Sequence, residues 1–572
     1  MTELRGFVQQ TGAVWRRQPG PARISRLADL TKSAMRLPFS LLFFVSAAIV
    51  AAWWWLGAAV PMPPAPFAAG EKLYCLSYAP FRDGQSPIES TIRIDPRKIE
   101  DDMARLAPLT ACVRTYSTRN GLDQVAEIAE RHGLQVIQGI WLGGDPVSAE
   151  RDIATAVEIS KRHPQTIRSL VVGNEVLLRG EMSPTDLAAT IRRVKAQVSQ
   201  PVTYADVWEF WLRYREIAPA VDFVTIHILP YWEDFPVSAH AAAAHVESIR
   251  RRVAVALPGK EILLGETGWP SAGRMRAGAL PSPANQARVL HDVLNVASRA
   301  GYHANLIEAF DQPWKRRLEG TVGGHWGLLD AYDRKPKFAW GAAVSNHPAW
   351  RLQAAEGVAL AVLVFAAAMN ARRRTGATEL VSLSVWLGVA ATAFASGLLI
   401  GWAIENVPIE SLTIGDWMRS LAMAGLAVAA PLIGAAALVR GETVPSFARI
   451  LGPASQRPAS AVVLAFGLIW AALCVVAAQV ALGLVFDPRY RDFPFAPLTA
   501  ATVPFFLQAI LGPSPKGARG VAESMFAAVF ALAAVYVAIN ESVANWQSLW
   551  LCAVFVGLAL TLLRARDAPD RG

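Results

Sequence analysis

The chain has 572 residues, 53% of them hydrophobic, and its 55 Lys and Arg against 46 Asp and Glu leave a formal charge of +9. It is too long for one ordinary domain and too apolar for a purely soluble protein, so a soluble unit joined to membrane spans is expected. The positive charge does not indicate a nucleic-acid surface, because much of it lies in tails and short loops between apolar runs of lipid-spanning length.

Residues 1–37 form a basic segment containing Arg16, Arg17, Arg23, Arg26, Lys32 and Arg36. Residues 38–60 are long enough to cross a bilayer and exceed the apolar core of a signal peptide, so a retained anchor is favoured over a cleaved leader. Pro61, Pro63, Pro64 and Pro66 mark a linker over 61–71, and residues 72–345 have ordinary polar content.

Within 72–345, short apolar runs alternate with amphipathic stretches of helical period, the pattern of parallel strands with crossover helices. Strands are expected at Lys72–Tyr78, Ala111–Tyr116, Gln135–Trp141, Ser169–Gly173, Val202–Asp206, Phe223–His227, Ile262–Glu266 and Ala304–Glu308. Helices are expected at Pro96–Leu106, Gly121–Arg131, Ala149–Arg162, Ser183–Gln197, Ala239–Ala256 and Pro283–Ala300, several opened by Ser, Asp or Pro cap signals. Eight such repeats predict an α/β fold, a (β/α)₈ TIM barrel with its reactive side chains at the strands' C-terminal ends. Tyr78, Arg114, Tyr116, Trp141, Asn174, Glu175, Asp206, His227, Glu266 and Glu308 end or follow these strands.

After the barrel, a region over 354–563 holds apolar runs near 354–370, 380–402, 417–439, 460–485, 498–512, 521–540 and 546–563, before a tail at 564–572. With the anchor, this predicts an α-helical bundle of about eight spans. Arg372 to Arg374 follow the second span, Arg440, Arg449 and Arg457 the fourth, Lys516 and Arg519 the sixth, and Arg564 and Arg566 the eighth. Every second loop is therefore basic, which predicts both termini in the cytoplasm and the barrel outside. Glu356, Glu379, Arg419 and Glu523 fall near span ends, so a proton relay has little support, and the small residues over 422–437 suit close helix packing.

Glu175 ends Val171-Val172-Gly173-Asn174-Glu175 after strand four, and Glu266 lies in Leu263-Leu264-Gly265-Glu266-Thr267-Gly268-Trp269-Pro270 at strand seven. Both carboxyls are expected at one mouth. Cleaving a glycosidic bond takes an acid to protonate the leaving oxygen and a carboxylate for the anomeric carbon, about 5 to 5.5 Å apart in retaining enzymes. A lone glutamate is more often a cap or a surface ion pair; two at these strand ends are much less expected by accident.

Residues 263–273 (LLGETGWPSAG) resemble the nucleophile signature of glycoside hydrolase family 17, and 171–175 (VVGNE) its acid/base motif. The resemblance covers about 72–340 and implies a retaining enzyme on β-glucans, with Glu266 as nucleophile and Glu175 as acid/base. Arg114-Thr115-Tyr116 resembles the family's strand-two motif, and Lys315 with Glu319 its strand-eight support. His227 stands where the family's plant enzymes have Asn. Asn174, Arg114, Tyr116, Tyr78, Tyr231, Trp232, Trp269, Glu308, Lys315 and Glu319 are taken as substrate-binding candidates. Trp141, Trp208, Trp211, Tyr231, Trp232, Trp269 and Trp314 offer flat faces for pyranose rings, about half of them expected to be packing residues instead.

The barrel with a multi-span tail resembles NdvC-type bacterial β-glucan glucosyltransferases, which implies the bacterial inner membrane with a periplasmic barrel. Three readings stay open: a transglycosylase using β-1,3-glucan and forming β-1,6 links or branches, a tethered endo-β-1,3-glucanase, and a glucan-binding export scaffold. Expected partners are a β-glucan, the lipid bilayer and a membrane glucan synthase, with no cofactor and no metal. Cys474 and Cys552 lie in expected spans, while Cys75 and Cys112 fall on neighbouring strands and are read as buried thiols, a bridge being the less favoured alternative.

Overall fold

The computed structural model describes residues 21–68, 70–375, 381–458, 460–512 and 519–565, with side chains from 36 onward other than those of Thr375 and Gln456. Of the residues used above for topology, Arg16, Arg17, Glu379, Lys516 and Arg566 lie outside the described residues, as do the side chains of Arg23, Arg26 and Lys32.

Eight strands, β1 Cys75–Ser77, β2 Cys112–Arg114, β3 Gln135–Ile140, β4 Ile167–Asn174, β5 Val202–Val207, β6 Val224–His227, β7 Ile262–Thr267 and β8 Ala304–Leu306, close into a barrel in chain order. Every pairing is parallel, including β1 with β8. The strands are apolar almost throughout because crossover helices cover one face and the barrel interior fills the other. Asp95, Asp145, Ser183 and Ser282 each accept hydrogen bonds from first-turn amides, and a proline follows each at the start of its helix. These local stops and starts account for the sequence signal there.

Three features differ from expectation. The connection from β5 to β6 contains a short helix, Trp208–Arg213, and a 3₁₀ turn, Arg215–Ala220, where none was foreseen. The stretch after Gly121 (φ 92°) begins as a 3₁₀ turn, Leu122–Gln124, before the helix Val125–Arg131. Cys75 and Cys112 are joined by a disulfide rather than free, because the pairing of Leu76 with Val113 brings the two thiols together.

Among the described residues, seven helices are long and apolar enough to cross a membrane: Arg36–Leu56, Trp350–Arg374, Leu383–Glu410, Ile414–Val439, Ala461–Phe486, Val521–Glu541 and Trp546–Arg564. The span expected at 498–512 is the shorter helix Phe495–Leu511, whose rise of about 26 Å falls short of a hydrocarbon core of roughly 30 Å. Small residues do allow close approach: a Cβ on Gly357 would stand 2.1 Å from the carbonyl oxygen of Gly397. The chain enters and leaves the barrel side by side, with Val60 bridged to Val344 and Trp53 edge-on to His347.

Candidate active site

Glu175 follows the last residue of β4 in a left-handed backbone conformation, φ 53°, and its N–H donates to the carbonyl of Ala205. A non-glycine residue held there carries strain that surrounding structure must offset. The register shifts between Val171 and Asn174 on β4, and again between β6 and β7, where His227 pairs with Glu266. These irregularities turn both carboxyls into one mouth. A carboxylate oxygen of Glu175, a ring nitrogen of His227 and an oxygen of Glu266 all lie within 4.8 Å of one another.

Arg114, fully buried at the end of β2, organises one side. Its Nη1 donates to the Gly265 carbonyl at 2.7 Å and to Glu266 Oε1 at 3.2 Å, and its Nη2 donates to Asn174 Oδ1 at 2.6 Å. Tyr116 Oη donates to the same Glu266 oxygen at 2.9 Å. On the other side His227 Nδ1 stands 2.8 Å from Glu175 Oε1, and its Nε2 lies 3.6 Å from Glu266 Oε1. An ionised carboxylate only accepts, so Nδ1 carries the proton. Among the described residues these three are the one group able to gather around a cation, but the guanidinium of Arg114 already neutralises Glu266.

Burial raises the pKa of Glu175, yet the hydrogen bond and charge of His227, with Arg179 and Lys315 further off, outweigh it and hold the carboxyl below its ordinary range. Lys315 Nζ sits 2.5 Å from Glu308 Oε1. Burial disfavours the charge on Lys315, but Glu308, Glu319, Tyr116 and Glu266 together hold its pKa above that of an ordinary lysine. Burial raises Glu319, and the charges of Glu175 and Glu266 add to the effect against Lys315. The site is thus one continuous set of charges from β2, β4, β6, β7 and the turn after β8. A carboxyl pair this close, one member fixed by donors and the other sharing a proton with a histidine, can perform a double displacement at an anomeric carbon.

Of the candidates chosen from sequence, Arg114, Tyr116, Asn174, Glu175, Glu266, Glu308, Lys315 and Glu319 come together. Tyr78, Tyr231 and Trp269 do not reach the mouth. Tyr78 is fully buried with its hydroxyl on Asp102, Tyr231 donates to the Arg274 carbonyl, and Trp269 Nε1 donates to the Leu280 carbonyl. Trp232 is half-buried, stacked on Trp326 with centroids 6.4 Å apart. Trp211 is buried against the Thr225 carbonyl, Trp208 donates to Glu233, Trp314 donates to Gln312, and Trp141 lies under Arg179. His227 and Arg179 were not among the chosen residues. Arg179 donates to the carbonyls of Asn174 and Leu142 and so pins the turn that carries Glu175. The signal for His227 was its place at the end of β6, next to β7; Arg179 lies within a turn and offered none.

Residues 75–327, the whole barrel, match the BtgE/BtgC glycoside hydrolase domain. The chain is 32% identical over 229 residues to a probable beta-glucosidase btgE of Neosartorya fischeri, covering 39% of this chain and 40% of that protein. It is 26% identical over 268 residues to a glucan 1,3-beta-glucosidase of Candida albicans, covering 43% of this chain and 86% of that one. Among solved structures it is similar to a glycoside hydrolase family 17 beta-1,3-glucanosyltransferase from Rhizomucor miehei, with 26% identity, a TM-score of 0.42, and coverage of 48% of this chain and all of that one. The chain spans 40% of the length of the first curated relatives it matches. Residues 75–327 thus resemble a glycoside hydrolase domain, joined here to long apolar helices.

Proposed function

We propose that the protein is a membrane-bound retaining β-glucan transglycosylase that takes a β-1,3-glucan as donor. The observation that carries the reading is the pair Glu175 and Glu266, with oxygens within 4.8 Å and Glu266 held by Arg114 and Tyr116. That spacing suits the retaining route, whose carboxyls stand about 5 to 5.5 Å apart. In the first step a Glu266 oxygen attacks the anomeric carbon, the bond to the leaving sugar breaks, and the proton of Glu175 passes to the leaving oxygen. In the second, Glu175 takes the proton of an acceptor hydroxyl, whose oxygen attacks the anomeric carbon and releases the Glu266 carboxylate.

His227 donates to Glu175 and draws its pKa down, so the first step proceeds from the form in which Glu175 has taken up a proton from solvent. Arg114 and Tyr116 fix the nucleophile, and the fixed donors facing Glu266 cost no rearrangement during reaction. Asn174, Lys315, Glu308 and Glu319 orient the sugar or these groups, and Trp232 offers it an aromatic face.

The barrel faces the outside of a bacterial inner membrane with both termini in the cytoplasm, in the manner of NdvC-type glucosyltransferases. The basic residues on alternate loops support this, as does the Cys75–Cys112 disulfide, since such bonds persist in oxidising compartments. A sugar acceptor would give β-1,6 links or branches, with a membrane glucan synthase supplying the donor. Purified full-length protein incubated with laminari-oligosaccharides tests the reading. Products longer than the donor, with new linkages, are expected; only shorter products would make it a hydrolase, and no turnover would leave a glucan-binding scaffold.

A further inference from the structure

Loops at the barrel mouth run directly into the membrane region. Arg274, in the loop after β7 and 3% exposed, forms an ion pair with Glu541 at the end of a membrane helix. The same guanidinium donates to the carbonyls of Pro488 and Arg491 and lies 4.6 Å from the ring centroid of Phe493. The Met275 N–H donates to Gln547 Oε1 at 2.8 Å, and its carbonyl accepts from Asn545 Nδ2 at 3.0 Å. Beyond β8, Thr321 Oγ1 donates to Asp492 Oδ2 and Arg316 Nη2 to the Ile409 carbonyl, each at 2.6 Å. A buried charge held by this many partners fixes segment 487–493 against the barrel.

The segment is fixed beside the turn after β8. Gly320, with φ +71°, has no room for a Cβ, which would stand 2.3 Å from the Tyr490 carbonyl oxygen. Its neighbour Glu319 is the residue whose carboxyl feels both Glu175 and Glu266. On the other side the Tyr490 ring meets Trp232 edge-on with centroids 6.2 Å apart. The exposed Arg489 places its guanidinium 5.7 Å from the same Trp232 ring. Two half-buried aromatic rings with an exposed hydrogen-bond donor beside them suit one pyranose ring, which needs a flat apolar face and donors for its hydroxyls.

We infer that Arg489 and Tyr490 of the membrane region, with Trp232 of the barrel, form a sugar-binding subsite that extends the cleft beyond the two glutamates. Its ligand is a further β-linked glucose unit of the chain being processed. The membrane region thereby sets which glucan lengths are gripped well. This rests on the reading of the barrel as β-glucan-active.

The test uses full-length protein and laminari-oligosaccharides of increasing length, with turnover and binding measured separately. Binding is followed by tryptophan fluorescence in Glu266→Gln protein. With Arg489→Ala and Tyr490→Ala combined, KM and Kd rise about five- to tenfold for long chains, kcat changes little, and the loss grows with length. Tyr490→Phe is expected to keep most of the affinity. An equal loss at every length would mean a merely structural role and overturn the subsite, as would no loss at any length. If the wild type turns over no β-glucan, the proposed function fails, and the binding arm decides the subsite alone: a length-dependent loss supports it and an unchanged Kd overturns it.

Discussion

In the barrel, buried charges sit in groups at the strand ends and beside them: Arg114 with Glu266 and Asn174, Lys315 with Glu308, Lys337 with Asp311, and Arg82 and Arg334 with Asp102. The described long apolar helices instead bury mainly Ala, Leu, Val, Phe and Trp. Their ionisable groups lie near helix ends, with Glu523 capping Phe447 at one side and Glu541 reaching Arg274 at the other. Buried polarity in the barrel gathers at the strand ends, while among the long apolar helices it lies at the helix ends. The difference follows from the cost of an unpaired charge in hydrocarbon, which confines such groups to places where water or a partner is present.

The comparison is tested most severely at Glu266. Glu266→Gln should lower kcat by about a thousandfold or more while the fold survives, because only the transition state loses its covalent partner. Retained activity would separate the charge cluster from the chemistry. Arg274→Ala tests the attachment instead. It leaves Glu541 buried without its partner, and a destabilisation of about 3 to 5 kcal/mol is expected in unfolding of the detergent-solubilised protein. A negligible change would mean that the two regions are only loosely joined.

Arg114→Lys keeps the charge but loses the fork that holds Gly265, Glu266 and Asn174 together. Misplacement of Glu266 should cost about a hundredfold in kcat, measured on a laminari-oligosaccharide. His227→Asn has the mildest effect, on pH dependence. The histidine lowers the Glu175 pKa, so its removal raises it. Activity that needs protonated Glu175 is lost as pH rises through that pKa, so the alkaline limb of the pH profile should move to higher pH. A limb that stays or moves down would contradict the pairing.

The barrel was legible because its signals are local: alternating strand and helix periods, caps at Asp95, Asp145, Ser183 and Ser282, and polar residues at strand ends. The two glutamates were legible for the same reason, each lying in a short motif at a strand terminus. What sequence did not yield depends on the third dimension. Tyr78, Tyr231 and Trp269 follow strands just as Tyr116 does, but loop packing turns their side chains away from the mouth. The Cys75–Cys112 bridge needed the register of β1 on β2. The contact of Arg274 with Glu541 spans 267 positions and leaves no pattern in the chain.

The central claim is that Glu266 carries a glucosyl group which a second sugar then removes. Full-length protein treated with an activated 2-deoxy-2-fluoro-β-glucosyl donor, digested and analysed by mass spectrometry, tests it most directly. The account predicts a fluoroglucosyl adduct on the peptide containing Glu266, absent from Glu266→Gln and discharged onto added laminaribiose. An active protein that labels another residue, or that turns over without any adduct at Glu266, would contradict it.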